Sequence, residues 1–347
     1  MGLKKYFIRR LITTFITLLI VVSLLYFLFR LPAYVTGRSP EEVYGWRRLQ
    51  QSSKWTPEEK EELFRELRKS MGLPPKDAGF AERMGYFFQY MKNMLTFNFG
   101  YNANPDDLHP IAPALARRLP YTLLLLGPST FFTILIGIWL GVRAGKEPGS
   151  TQDKAFTVGG LSIYSLPSYW LGPFLLWFFA MVVPIFPPQA GPTLPNLFAT
   201  DPFYKILGMV AMLTLPVFTL VTVSVGGWIY LMRNSLTDVI TEDYIFTARA
   251  KGLDERAVVY KHAFRNALFP IWTSIVLSVA TMWTGAIITE QIFSLPGVGS
   301  MLIEAVLQPM DYPIAQTIFY FIALTTLGAN LIADISYALL DPRVQYD

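Results

Sequence analysis

Residues 11–29 read LITTFITLLIVVSLLYFLF, closed by Arg10 on one side and Arg30 on the other. A helix rises about 1.5 Å per residue and the hydrocarbon layer is roughly 30 Å thick, so about 20 apolar residues cross it. Further uncharged runs follow at 119–142, 155–200, 206–232, 266–289 and 312–333. Each is long enough to cross. The run at 155–200 could hold two crossings, but its later part, PIFPPQAGPTLP at 184–195, carries five prolines. Proline removes a backbone donor and clashes with the preceding turn, so that part reads as an irregular outer loop. One helix over about 155–183 is expected instead, kinked at Pro167 and Pro173. The pattern predicts an all-α, polytopic membrane protein with six transmembrane helices.

Composition agrees. Of 347 residues, 52% are hydrophobic and 16% charged, whereas soluble domains carry about 25% charged residues. A lone water-soluble domain is excluded. The absence of cysteine rules out a disulfide framework and any Cys-based metal site. His109 and His262 stand too far apart for a local metal motif, and no nucleophile arrangement surrounds them. No catalytic residue and no metal ligand is assigned. Nor is there a phosphate-binding loop: after Gly145-Lys146 comes Glu147 instead of Ser or Thr, and Leu140 stands where the first glycine belongs. This chain is therefore not expected to hydrolyse ATP itself.

The positive residues give an orientation. Short loops on the cytoplasmic side collect Lys and Arg. With the N-terminus inside, inner segments hold Lys4, Lys5, Arg9 and Arg10, then Arg143, Lys146 and Lys154, then Arg233, Arg249, Lys251, Arg256, Lys261 and Arg265, and finally Arg343. The short outer loops hold only Lys205. Both termini are expected in the cytoplasm, and the net charge of +4 is mainly this orientation signal rather than a sign of a nucleic-acid partner. A secretory signal would also begin with basic residues, but the first run continues to Phe29 and ends in FRLP without a small-residue cleavage pattern, so an uncleaved helix is expected. The expected organisation is an N-terminal transmembrane helix at 1–30, an extracytoplasmic segment at 31–118, a five-helix core at 119–341 with a long inner loop at 233–268, and a cytoplasmic tail at 342–347.

The outer segment has signals of its own. Thr56-Pro57-Glu58-Glu59 is a helix start, with a hydroxyl cap, proline at the first helical position and glutamate three residues after the cap. That helix should stop near Gly72, before Pro74, and reads as a solvated surface helix. The following MGYFFQYMKNMLTFNFGY at 84–101 is aromatic, which suits either the membrane interface or packing against the outer segment.

The loop RNSLTDVITEDYIFTARAKGLDERAVVYKHAFRNALFP, beginning at Arg233, is too long and too patterned for a connector. Thr241 can cap a short helix, with Glu242 and Asp243 at its positive end and Arg249 and Lys251 at its negative end. Gly252 stands where a left-handed terminating residue is needed. Asp254 then caps a second helix running toward Pro270. Ala248 and Ala250 offer a small-residue surface. The expected element is helix, tight turn, helix, a docking site for a cytoplasmic partner.

TEDYIFTARAKGL followed by HAFRNALFP strongly resembles the EAA-type coupling loop of permease subunits in ATP-binding-cassette importers, in the peptide/nickel/oligosaccharide branch. LKKYFIRRLITTFITLLIVVSLLYFLFRL resembles that branch's first span, LPYTLLLLGPSTFFTILIGIWLGVRAG its second, and SLPSYWLG its third. EQIFSLPGVGSMLIEAVLQPMDYPIAQ and NLIADISYALLDPR resemble its signature after span five and its ending. The resemblance implies a type I importer permease fold in the cytoplasmic membrane of a prokaryote. It implies a second homologous permease chain, two ABC ATPase subunits that bind ATP and Mg, and an extracytoplasmic substrate-binding protein. Glu242, Asp243, Tyr244, Ala248, Arg249, Ala250, Lys251, Gly252 and Leu253 would form the ATPase-coupling loop. The implied cargo is oligopeptide, with oligosaccharide second. Two departures bear on cargo alone: an outer motif resembling GDLGYS appears as NFGYN at 98–102, without its aspartate, and the outer segment is longer, with 46–73 as the insertion. The loop also has Thr247-Ala248-Arg249-Ala250 where other branches begin their pattern with glutamate.

Remaining charges near spans have structural readings. Asp334 is expected to hydrogen-bond near the inner end of the last span, and Glu290 and Glu304 to face water. Gly137, Gly141, Gly226, Gly227 and Gly285 are expected to let helices approach closely. The rival class, a stand-alone ion-coupled carrier or channel, should show internal repeats and broken spans with midplane charges; the sequence shows neither.

Overall fold

The computed structural model describes residues 3–30, 42, 55–75, 77–102, 109–187, 202–281, 283–307 and 311–340. Among them every regular element is helical, with one isolated antiparallel bridge between Tyr101 and Pro110. In chain order these are α1 (Leu3–Leu28), α2 (Pro57–Ser70), α3 (Phe80–Leu95), α4 (Ile111–Gly145), α5 (Thr151–Tyr164) and α6 (Ser168–Leu176). Then come α7 (Pro202–Ile240), α8 (Asp243–Ala250), α9 (Phe264–Thr281), α10 (Trp283–Ile292), α11 (Val298–Leu307) and α12 (Tyr312–Leu340). Four stretches are long and apolar enough to cross a membrane, namely Lys5–Leu28, Ile111–Gly145, Ile206–Ile240 and Tyr312–Ser336; α5 and the bent continuation Ser168–Val182 make a fifth if counted as one span. The run at 266–289 is shared between α9 and α10, on either side of residue 282. The outer-segment portion at 46–54, the proline-rich loop at 188–195, the tail at 342–347 and the surroundings of Gly285 lie outside the described residues.

The chain divides into two units, Met1–Pro120 with Gly297–Asp347, and Tyr121–Pro296; α4 begins in the first and continues in the second. In the first unit, α2 starts as its sequence requires. The Glu59 N–H donates to Thr56 Oγ1 and the Thr56 N–H donates to the Glu59 carboxylate at 2.8 Å, while Pro57 opens the helix. Gly72, at φ +63°, ends it. The helix is not solvated all round: Leu63 and Leu67 are buried with Met71, Leu73 and Tyr312. The aromatic helix α3 puts Tyr90 and Met94 against Val22, Leu25 and Tyr26 of α1 and Tyr320 of α12, and leaves Phe80 and Phe88 exposed. Thus α3 packs against the first and last helices. Arg10 reaches Asp334 at 2.7 Å, giving that carboxylate the structural role expected of it. Asp311 caps α12 by accepting the Ile314 N–H.

In the second unit, α4 and α7 are packed backbone to backbone. A Cβ built on Gly141 would fall 2.6 Å from Met232 Cβ, one on Gly145 would fall 2.9 Å from the Arg233 carbonyl, and one on Gly137 would collide with Trp228. Gly160 of α5 and Gly226 of α7 are likewise in direct contact, with no room for a side chain on Gly226. Gly137, Gly141 and Gly226 thus permit the close approach expected of them, and Gly145 and Gly160 join them. The single kinked helix expected over 155–183 is not found. It breaks at 165–167 into two pieces bent by 90°. Pro167 cannot donate to the preceding turn and disfavours a helical Leu166, so it opens a new helix in extended conformation (φ −68°, ψ 136°). Pro173 is accommodated inside α6, whose end passes into a π-helical turn, Trp177–Val182.

Helices also outrun the uncharged stretches. α7 continues past Arg233 to Ile240, and residues 255–281 are helical without interruption through Pro270, so most of the loop expected at 233–268 is helix. Absence of charge marks the hydrocarbon-compatible part of a helix, while the helix itself ends where caps and glycines end it. If the α4–α7 contact organises this unit, Gly141→Leu should lower thermal stability in detergent by about 1–3 kcal/mol, the usual cost of overpacking. Gly127→Leu on the same helix has open space beside it and should leave the melting midpoint unchanged. Equal midpoints for the two variants would contradict the close contact.

Candidate functional site

The site is the turn that joins α7 to α9. Thr241 does not cap α8; its hydroxyl donates back to the Asp238 carbonyl at 2.7 Å and closes α7. The N-cap of α8 is Glu242, which makes no side-chain capping bond. Asp243 in the first turn and Arg249 in the last still complement the helix dipole. The C-terminal end matches expectation closely. The Gly252 N–H donates to the Arg249 carbonyl at 2.9 Å and the Leu253 N–H to the Ala248 carbonyl, with Gly252 left-handed at φ +76°. This is a Schellman closure, and it needs a residue without the left-handed penalty. Asp254 then accepts the Arg256 N–H and opens the lead-in to α9, Glu255–Ala257 followed by the π-helical turn Val258–Ala263.

What seats α8 is apolar. Ile245 and Ala248, three residues apart and hence on one face, are buried in a core made by Val142, Met232, Leu236, Val258, Val259, Ala263, Ala267 and Ile271. Burying an isoleucine completely contributes roughly 1.5–3 kcal/mol. Ala248 therefore faces the chain's own interior, contrary to the small-residue surface expected of it. The outward face carries Tyr244, Phe246, Arg249, Ala250 and Lys251, with Phe246 75% exposed. Exposed aromatic area of this kind on a short, rigidly seated helix suits insertion into a partner.

Polar ties hold the turn in place. The Arg249 guanidinium forms two hydrogen bonds to the Glu255 carboxylate, at 2.7 and 3.1 Å, across the Gly252 turn. The Asn266 amide donates to the Tyr244 hydroxyl at 2.8 Å, and Ser235 donates to the Ala267 carbonyl at 2.7 Å. His262 lies in the lead-in, where its carbonyl accepts from Asn266, consistent with a structural residue. At the base of α7, Arg233 makes a two-pronged pair with Asp153 at 2.8 and 3.0 Å, and Asp153 also accepts from the Gly149 N–H and the Thr157 hydroxyl. Sequence reading missed this pair because residues 80 positions apart carry no local signal. Glu290 is another correction. Its side chain is fully buried and accepts the Thr122 hydroxyl at 2.6 Å, so it does not face water. Glu304 remains half exposed and pairs with Arg118 at 2.8 Å.

The Arg249 hydrogen bonds hold the Glu255 carboxyl below its ordinary value of 4.5. A depressed value means the tie contributes fully above that ordinary value and is lost as pH falls through the lower, folded one. Both side chains are partly exposed, so the pair should be worth about 0.2–1 kcal/mol. Protection of the amides at 249–256, measured by hydrogen exchange and corrected for intrinsic rates, should drop about two- to fivefold on acidification through this range. Glu255→Gln should show the lower protection already at neutral pH. Unchanged protection in both cases would mean the tie does not hold the turn.

Residues 134–346 match the family described as binding-protein-dependent transport system inner membrane component. The oligopeptide transport system permease protein AppB of Bacillus subtilis (strain 168) is 34% identical over 274 residues, covering 77% of this chain and 84% of that protein. The di/tripeptide transport system permease protein DppB of Pseudomonas aeruginosa is 32% identical over 272 residues, 75% of this chain and 80% of its own length. A protein of Sinorhizobium fredii described as a probable peptide ABC transporter permease is 30% identical over 342 residues, 98% of this chain and 99% of its own, so the long outer segment has a counterpart. On that match, which includes α5 through α12 and the whole α7–α9 turn, the chain belongs to the binding-protein-dependent transport system inner membrane component family and is a multi-pass membrane permease with a type I importer permease domain.

Proposed function

We propose that this chain is the permease subunit of an ATP-driven importer that moves oligopeptides across the inner membrane of a prokaryote. It would pair with a second, homologous permease chain and rest on two ABC ATPase subunits. An extracytoplasmic binding protein would deliver the peptide. The chain itself would hold no ATP or Mg, and both termini of its six spans would lie in the cytoplasm. Peptide is preferred over oligosaccharide as cargo because the relatives named above belong to peptide, oligopeptide and di/tripeptide systems.

The observation that carries the coupling role is α8. It is anchored inward by Ile245 and Ala248, fixed at its end by Gly252, and turns Phe246, Arg249 and Lys251 outward. Such a helix can seat in a cleft on an ATPase without loosening from its own core. Glu242, Asp243, Tyr244, Ala250 and Leu253 complete the proposed contact loop, with Ala248 as its inner support. Closure of the ATPase pair would draw the α8 helices of the two permeases together and rock the bundles between inward- and outward-facing states. A carrier driven by an ion gradient would use charges at a broken span. The break at 165–167 holds Ser165, Leu166 and Pro167.

The test is a substitution confined to backbone conformation. Nothing lies within 4 Å of a Cβ placed on Gly252, so Gly252→Val adds no clash and only forces a β-branched residue into the left-handed region. With the partners co-reconstituted in liposomes, Gly252→Val should insert normally and leave ATP hydrolysis running while peptide uptake falls about tenfold or more, since roughly 1–2 kcal/mol of strain opposes the seated geometry. Gly252→Asn, which tolerates that conformation, should retain most uptake. Uptake equal to wild type in Gly252→Val would overturn the docking assignment, as would uptake by the chain alone without ATP.

A further inference from the structure

A cavity of about 910 Å³ lies between the end of α4, the start of α5 and the lead-in to α9. Arg143, Lys146 and Arg256 line it, together with the acids Glu147 and Glu255. Each acid is already engaged, Glu147 with Lys146 at 3.2 Å and Glu255 with Arg249 at 2.7 Å. The neighbouring Asp254 carboxylate takes the Arg256 backbone N–H. Among the described residues, the guanidinium groups of Arg143 and Arg256 have no carboxylate partner. Two arginines without a carboxylate partner lining one cavity favour an anion, and their forked donors suit phosphate oxygens.

The depth of the cavity identifies the source of that phosphate. The Arg143 guanidinium lies over the Trp139 ring, 3.6 Å from its centroid. Trp139 is 53% exposed on the apolar stretch of α4, and Arg143 is the first charge after the uncharged run at 119–142. An exposed tryptophan with an adjoining arginine marks the level where headgroups begin. Phe156, Val259 and Tyr260 supply an apolar wall to the same cavity. A free phosphate ion would use the arginines and leave that wall without a role, whereas a lipid would use both.

We propose that this cavity binds the headgroup of an anionic phospholipid, with its phosphate held by Arg143 and Arg256 and its glycerol end against Phe156, Val259 and Tyr260. The volume lies within the range of small-ligand sites, and basic pockets at the membrane boundary are where anionic headgroups bind. The bound lipid bridges the α4–α5 turn and the segment immediately following the α8 turn. It thereby gives the membrane's anionic lipid content a direct hold on that region. The inference is independent of which protein docks on α8.

The full chain in a neutral detergent, titrated with phosphatidylglycerol, phosphatidylcholine of equal chain length and inorganic phosphate, tests this by native mass spectrometry. Phosphatidylglycerol should bind in preference to both others. Arg143→Gln with Arg256→Gln should weaken it about tenfold or more, given what charge-assisted hydrogen bonds contribute. Arg256→Gln alone, at an exposed position, keeps the test open if the double variant does not fold, and should weaken binding by a smaller factor. Arg65→Gln, at an exposed position of α2 that is not among the residues lining the cavity, should leave binding unchanged. Equal affinity of wild type and Arg256→Gln would overturn the proposal. So would equal binding of phosphatidylcholine, or inorganic phosphate binding as tightly as the lipid.

Discussion

The backbones of α4 and α7 touch, and the unit spanning residues 121–296 is organised by that contact. Apolar helices in lipid gain little from the hydrophobic effect when they associate, so close packing must supply the attraction. Gly137, Gly141 and Gly145 recur every four residues and give α4 a flat face. Met232 and Leu236 of α7 can then join Val142 in one buried core, and that core receives Ile245 and Ala248. A side chain on Gly141 would push apart the floor on which α8 stands. At the end of the seam, Arg233 is held by Asp153, which is itself buried. The carboxylate is buried while the guanidinium stays partly exposed, so removing Arg233 would leave Asp153 buried without its charge partner.

From this contact the rest of the unit follows in steps. Gly160 and Gly226 bring α5 against α7, while Gly172 of α6 lies so close to Ile292 that a Cβ built on it would fall 3.3 Å from that side chain. The 90° break at Pro167 re-aims the chain, so that α5 lies along α7 while α6 meets both α7 and α10. α8 shares its core with α7 and the lead-in to α9, so it is packed onto them instead of hanging on a free loop. In the proposed transport cycle this rigidity matters more than any single side chain on the outer face. A loosely attached helix could bind an ATPase without transmitting its motion.

Much of this was legible from local sequence rules, and the failures have a common cause. The capping box at Thr56, the left-handed Gly252, the Asp254 cap and the close-approach glycines 137, 141, 226 and 227 depend on neighbours in sequence or on residue size, and each appears where expected. Thr241, Ala248 and Glu290 went the other way. Whether a hydroxyl closes the helix before it or opens the one after it depends on where α7 ends, and α7 runs about two turns beyond Met232, the last residue of its uncharged run. The inward turn of Ala248 and the burial of Glu290 against Thr122 depend on partners far along the chain. The Asp153–Arg233 pair was invisible for the same reason. Proline showed both outcomes: at 167 it broke the helix, at 173 and 270 it did not, since flanking packing can hold a helix through a missing donor.

The chain contains no cysteine, so a single introduced thiol reports on one place only. The most direct measurement is cross-linking from Phe246→Cys to co-expressed ATPase subunits in native membranes, compared with Ile245→Cys. The outward position should form a cross-linked product with an ATPase while the buried neighbour forms none. Cross-linking from Ile245→Cys but not from Phe246→Cys, or from neither in an assembled and active complex, would contradict the claim that α8 is seated on its own core and presents its other face to the ATPase.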